Sequence, residues 1–224
     1  MARLIAIGDI HGHSTALASL LEVIDPGLDD TLVPLGDYVD RGPDSRGVID
    51  QLIALGKRCR LVPLLGNHDE HLLRTRAERT DPGSNWDVPV GSTATLDRAV
   101  ELFLPRHLQF IEGCRTFFET ERHFFVHANY IPELPLHEHD GFTLRWLSLR
   151  QHRPQVPHYT GKTAVVGHTR QLDGEILDLG YLKCIDTGCY KGGWLTGLDV
   201  LSGRLWQVNS QGEVRQSAAS RVGA

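Results

Sequence analysis

Short apolar runs that end on glycine punctuate the first part of the chain. Leu4–Ile7 stops at Gly8, Leu32–Leu35 at Gly36, and Leu61–Leu65 at Gly66. Runs this short, closed by glycine, predict buried parallel strands rather than helices. Between them, apolar residues recur with helical spacing. Thr15–Ile24 predicts a helix with Ser14 as its N-cap, and Val48–Leu55 predicts another that stops at Gly56. The βαβαβ order implies parallel strands joined by right-handed crossovers. Glu70–Glu78 and Leu96–Phe103 predict further helices, separated by a turn-rich loop over residues 80–91 that carries Trp86.

The second half reads differently. Arg115–Glu121, His123–His127, Thr163–Val166, Tyr181–Ile185, Trp194–Val200 and Arg204–Val208 predict closely spaced strands with few helices between them. They suggest a second, mixed or antiparallel sheet. The expected fold is α/β, with two mixed sheets packed as a β-sandwich flanked by helices. A Pro- and His-rich stretch, about residues 130–161, is too long for a plain connector and reads as a lid with one short helix near Leu144–Leu149. Residues 1–210 read as one domain and 211–224 as a frayed tail.

Composition narrows the function classes. The 224 residues carry a net charge of −5, which argues against broad nucleic-acid or anionic-membrane binding. No apolar stretch approaches the roughly 20 residues that span a bilayer. The first strand begins within a few residues of Met1 and leaves no room for a signal peptide. Cys59, Cys114, Cys184 and Cys189 form no CxxC pair, so they read as buried small residues in a reducing cytoplasm.

In open α/β sheets, the loops at the carboxyl ends of strands build the active site. Here those loops read Gly8-Asp9-Ile10-His11-Gly12, Gly36-Asp37-Tyr38-Val39-Asp40-Arg41-Gly42 and Gly66-Asn67-His68-Asp69. Two later strands end in His127-Ala128-Asn129 and Gly167-His168-Thr169. Together they offer Asp9, His11, Asp37, Asn67, His127 and His168. Neutral nitrogens mixed with hard oxygens suit two divalent or trivalent ions, Mn first and Fe or Zn next, better than Mg or Ca.

These blocks, in this order, resemble the bacterial phosphoprotein-phosphatase branch of the calcineurin-like metallophosphoesterases. That branch includes serine/threonine protein phosphatases and symmetrical diadenosine tetraphosphatases. The resemblance runs over about residues 3–208, and Ile185-Asp186-Thr187-Gly188 followed by Gly192-Gly193-Trp194 resembles the family's closing strand pair. It implies that Asp9 and His11 bind one metal, that Asp37 bridges, and that Asn67, His127 and His168 bind the second. A hydroxide bridging the metals would then attack phosphorus. Arg41 would grip the phosphate with Asn67, and His68, oriented by Asp40, would protonate the leaving oxygen.

Two departures stand out. Asp69 occupies a position where the family usually has Glu, and Ser148 stands near an expected second phosphate-binding Arg. Arg145 and Arg150 are the nearest substitutes. The expected activity is a serine/threonine protein phosphatase, with a diadenosine tetraphosphate hydrolase as the alternative. A catalytically silent scaffold fits less well, because His68, Asp40 and Arg41 are all present. Expected partners are a phosphoprotein or a phosphorylated small molecule. The lid mixes Arg145, Arg150, Arg153 and Lys162 with Glu133, Glu138 and Asp140, which suits a peptide better than a polyanion. His13, His71, His107, His123 and His152 read as solvated or core-edge residues. His137 and His139 read as lid surface, and Arg74 and Arg76 as a solvated helix face.

Overall fold

The computed structural model describes residues 2–80 and 103–215. One five-stranded sheet has the order β10-β9-β1-β2-β3, and a second has the order β4-β5-β6-β8-β7. In the first, β1 (Leu4–Ile7), β2 (Thr31–Pro34) and β3 (Arg60–Leu61) run parallel. They are linked by α1 (Ser14–Ile24) and α2 (Ser45–Leu55). The second comprises β4 (Phe117–Glu119), β5 (His123–Val126), β6 (Thr163–Val166), β7 (Leu177–Asp178) and β8 (Leu182–Cys184), with β5, β6 and β8 parallel. Both sheets are therefore mixed, as expected.

The last two strands depart from the sequence reading. β9 (Leu195–Asp199) and β10 (Leu205–Val208) return to the first sheet, where β9 lies antiparallel to β1. Alternation along β1 explains how the layers stack. Ala6 faces Val33, Leu35, Phe125, Val165 and Ile185 between the sheets. Ile5 and Ile7 face the opposite way, onto Leu17, Leu20, Ile49 and Leu52 of the helices. With both faces covered, every residue of β1 is buried. The outer face of the second sheet carries Phe124, Val126 and Val166. It is covered by Leu136, Leu144 and Leu149 from residues 130–161.

Several boundaries moved for physical reasons. β3 is shorter than Leu61–Leu65. Val62 and Leu64 still donate to Leu32 and Pro34, but the reciprocal bond from position 34 is missing because Pro34 has no N–H. His13, not Ser14, occupies the N-cap of α1 and makes no side-chain cap bond. α3 (Asn67–Thr80) begins inside the Asn67-His68 loop, with Asp69 and Glu70 in its first turn facing the positive end of the helix dipole. Arg74, expected to be solvated, is 4% exposed, and His71 and His107 are buried too. α4 (Pro105–Glu112), a helix the sequence reading missed, packs beside α3. The short helix α5 (Gly141–Arg145) lies nearly one turn earlier than Leu144–Leu149. Residues 211–215 are not frayed: Val214 bridges to Val208, and Arg215 donates to the Gln207 carbonyl. The expected helix at 96–103 falls almost wholly outside the described residues, as does Trp86. No helix among the described residues is long and apolar enough to cross a membrane.

Candidate dinuclear metal centre

Parallel strands from both sheets end at the same edge, and their loops meet there. The loops after β1, β2 and β3 bring Asp9, His11, Asp37 and Asn67 together; those after β5 and β6 add His127 and His168. All but His168 are buried, each 6% exposed or less. The Asp37 carboxylate is central. Its Oδ2 lies 3.5 Å from His11 Nε2, while Oδ1 lies 3.5 Å from His127 Nε2. Asn67 Oδ1 sits 3.0 Å from His127 Nε2 and 2.9 Å from His168 Nδ1. Two clusters with ligand spacing thus share Asp37, one including His11 and His68, the other His127 and His168.

Each histidine is aimed by its other nitrogen. His127 Nδ1 lies 2.8 Å from the Leu35 carbonyl, His11 Nδ1 3.2 Å from that of Val39, and His168 Nε2 3.1 Å from that of Trp146. Donation to those carbonyls fixes the tautomer and leaves the inward nitrogen with a lone pair, the arrangement metal-bound histidines adopt. Burial pushes His11 and His168 down to about 3 and lowers His127 as well. All three are therefore neutral near pH 7, as a metal requires.

The carboxylates carry the opposite stress. Burial, with repulsion from Asp186 and Asp37, lifts Asp9 well above the usual carboxylate range. Burial raises Asp186 to about 6 and, with the Asp37 charge, Asp69 to about 7. Burial also opposes ionisation of Asp37, yet the ring of His127, His68 and His11 holds it below its ordinary value. Buried carboxyls that resist ionisation without a counter-charge, set beside three neutral imidazoles, fit a pair of cations.

Asp186 was noticed in the sequence only as part of a block. It follows β8, which runs parallel to β6, so it arrives at the same edge. An apolar strand with Asp at its carboxyl end is what this segment shares with the first two loops, and that was the available signal.

The loops themselves are held in unusual backbone. His11, Asp37, Asp40, Arg41 and His168 have φ between 47° and 72°. For residues with a Cβ, such conformations cost about 1 kcal/mol or more each and persist only where surroundings enforce them. Gly36 and Gly66 make the enforcement sterically feasible. A Cβ on Gly36 would lie 2.5 Å from Gly66 N, and one on Gly66 would lie 2.2 Å from Asp37 N.

Beside this centre, His68 Nδ1 is 2.8 Å from Asp40 Oδ2, and Nε2 is 2.9 Å from Arg41 Nη2. Burial lowers the His68 pKa, but Asp37 and Asp40 outweigh it and the net shift is upward. Tyr190, absent from the sequence reading, sets its ring edge-on to His11 at 4.8 Å and under Arg41 at 4.2 Å.

The chain matches the calcineurin-like phosphoesterase family model over residues 2–190. It belongs to that family. A symmetrical bis(5'-nucleosyl)-tetraphosphatase from Janthinobacterium sp. (strain Marseille) is 38% identical over 129 residues, which is 57% of this chain and 44% of that one. Its counterpart from Acidovorax sp. (strain JS42) is 43% identical over 106 residues, 46% of this chain and 36% of the relative. The matched stretches thus span less than half the length of these curated relatives. Among solved structures, a protein proposed to be a diadenosine tetraphosphatase superposes with TM-score 0.70 at 22% identity, covering 92% of both chains. A cold-active protein-tyrosine phosphatase from Shewanella sp. reaches 0.65 at 17% identity, covering 95% of this chain and 79% of that one. These structural likenesses establish the phosphoesterase fold.

Arg145 and Arg150 of this phosphoesterase are engaged with other protein groups. Arg145 Nη2 is 2.5 Å from Glu70 Oε1, and the neighbouring Trp146 Nε1 donates to Glu70 Oε2 at 2.6 Å. The Arg150 guanidinium donates to the Arg170 carbonyl. His139 is a local staple, its ring bonded to the Ile131 N–H and the Pro135 carbonyl, while His137 is exposed.

Proposed function

We propose that this phosphoesterase hydrolyses phosphate esters and anhydrides at a two-metal centre, with a dinucleoside polyphosphate as substrate. The reading is carried by Asp37, whose two oxygens face two separate histidine groups. Asp9, His11 and Asp37 would hold one ion; Asp37, Asn67, His127 and His168 the other. When bound, two such ions supply activation of water and neutralisation of developing charge. The protein's own groups do the rest. Arg41 presents a planar fork to the scissile phosphate, a contact lysine does not reproduce. His68 delivers a proton to the leaving oxygen from Nε2, with Asp40 holding Nδ1. The Arg41–His68 contact requires an unprotonated Nε2, so protonation of His68 frees Arg41 to turn onto phosphate.

The substrate preference differs from the sequence expectation, and relatives named as tetraphosphatases support the change. The acids of the lid support it too: Asp140 caps α5 by accepting the Thr143 N–H, and Glu138 is exposed beside His137. The experiment is a comparison of kcat/KM for diadenosine tetraphosphate, a phosphoserine peptide and p-nitrophenyl phosphate at one Mn concentration. A tenfold or greater preference for the dinucleotide over the peptide is expected. A tenfold preference for the peptide returns the assignment to a protein phosphatase.

A further inference from the structure

A cavity of about 340 Å³ opens beside the metal centre, walled by Arg170, Lys191 and Trp194 over the Thr187-Gly188 backbone. One aromatic ring separates it from the reacting groups. Tyr190 touches His11 and Arg41 and also lies within 5.8 Å of Arg170 Cζ and 5.9 Å of Lys191 Nζ. The three cations therefore surround a single ring, and among the described residues none of them has a carboxylate ion-pair partner. Asp173 lines the cavity as well, but its Oδ1 accepts the Glu175 N–H.

Arg170 is set in place before any ligand arrives. Its stem lies across Gly188, where a Cβ would come within 2.8 Å of Arg170 Cδ. Its carbonyl receives the Arg150 guanidinium, and the next residue, Gln171, donates its N–H to the Asp186 carbonyl at 2.8 Å. Ordering a side chain in advance removes part of the entropy that binding would otherwise cost. Trp194 is half-buried, and its ring has Arg215 Cζ at 5.2 Å. A volume of this size suits a small ligand. Two cations and an aromatic wall match phosphate oxygens attached to a flat base.

We propose that this cavity is a subsite for the nucleoside-phosphate portion of the substrate beyond the scissile phosphorus. Arg170 and Lys191 hold the flanking phosphates, and Trp194 packs against the base. The proposal rests on the dinucleotide reading above and adds to it the residues that set specificity. Tyr190 separates the subsite from His11, so an aryl phosphate engages Arg41 alone.

The test is the double variant Arg170→Ala/Lys191→Ala, read by kinetics and by calorimetric titration with adenosine 5'-diphosphate. The KM for diadenosine tetraphosphate should rise at least tenfold and the diphosphate affinity should fall by a similar factor. The kcat/KM for p-nitrophenyl phosphate should stay within twofold, and Arg170→Lys should restore part of the loss. Unchanged dinucleotide KM and unchanged diphosphate affinity in the double variant overturn the subsite. So does an equal loss on p-nitrophenyl phosphate, which assigns both cations to the scissile phosphate. A wild-type protein inactive on the dinucleotide, whose diphosphate affinity still depends on both cations, overturns the proposed activity and keeps the subsite.

Discussion

Asp69 Oδ2 accepts the backbone N–H of Asp37 at 2.7 Å, tying the first turn of α3 to the loop that carries the shared carboxylate. The same carboxylate takes the N–H groups of Tyr38 and Gly66 at 2.9 and 3.1 Å, and that of Val39 at 3.3 Å. Glutamate is usual here in the family, yet the shorter side chain reaches because the helix begins at Asn67 and the loops are in contact through glycines. Asp69→Ala leaves these buried donors unpaired, at about 1–3 kcal/mol each. A destabilisation of about 3 kcal/mol or more is expected in urea unfolding, with weakened metal retention. A variant within about 1 kcal/mol of wild type would mean that water or a neighbour replaces the carboxylate.

Asp37→Asn removes the charge that both clusters share. Loss of at least one metal equivalent per chain is expected by elemental analysis, together with at least a hundredfold fall in turnover. Two metals retained at near-normal rate would show that Asp37 does not bridge them. The single changes Asp9→Asn and His168→Asn should each be milder, because each touches one cluster.

His68→Asn should keep both metals and lose rate according to the leaving group. General-acid assistance is worth typically 10²–10⁴-fold where the departing oxygen is basic. The loss on a phosphoserine peptide should fall in that range, while p-nitrophenyl phosphate, with a stable leaving anion, should lose much less. Equal losses on both substrates would place His68 on the phosphate rather than the leaving oxygen.

Stability at low pH should depend on a pair far from the site. Arg3 lies side-on to Asp30, with Nη2 2.5 Å from Oδ2 and Nε 3.1 Å from both oxygens. That hydrogen bonding holds Asp30 down at about 2, against an ordinary 3.8. A depressed carboxylate contributes stability that is complete above its unfolded pKa and fades as pH falls through the folded one. The contribution should therefore disappear between pH 4 and 2. Asp30→Asn should lower stability at pH 7 by roughly 1–2 kcal/mol, allowing for the partial exposure of Arg3. Its stability should also be flatter than wild type across that window. Parallel pH curves for the two proteins would show that Asp30 is not the titrating group.

The metal-binding loops were readable because their chemistry is local: a short apolar run, a glycine, then Asp, His or Asn. The sandwich was readable because fully apolar strands need cover on both faces. What escaped depended on neighbours distant in sequence. Arg74 sits on a polar stretch of α3, and it is the tertiary fold, not its own stretch of sequence, that removes it from solvent. Arg145 looked free for phosphate until folding brought Glu70, 75 positions earlier, within 2.5 Å. β9 joins β1 across nearly the whole chain, and no periodicity announces such a partner. Lys191 and Arg170 were passed over because neither lies in the lid, where cations were sought.

The left-handed backbone at His11, Asp37, Asp40, Arg41 and His168 sets activity against robustness. At Asp40 and Arg41, which lie consecutively with φ of 72° and 65°, glycine would relax the chain. A screen for heat tolerance alone would thus drift toward proteins that melt later and no longer turn over phosphate. Improvement of this enzyme should begin at sites remote from these loops, such as the exposed Leu28 or Leu201, where no catalytic geometry is held under tension.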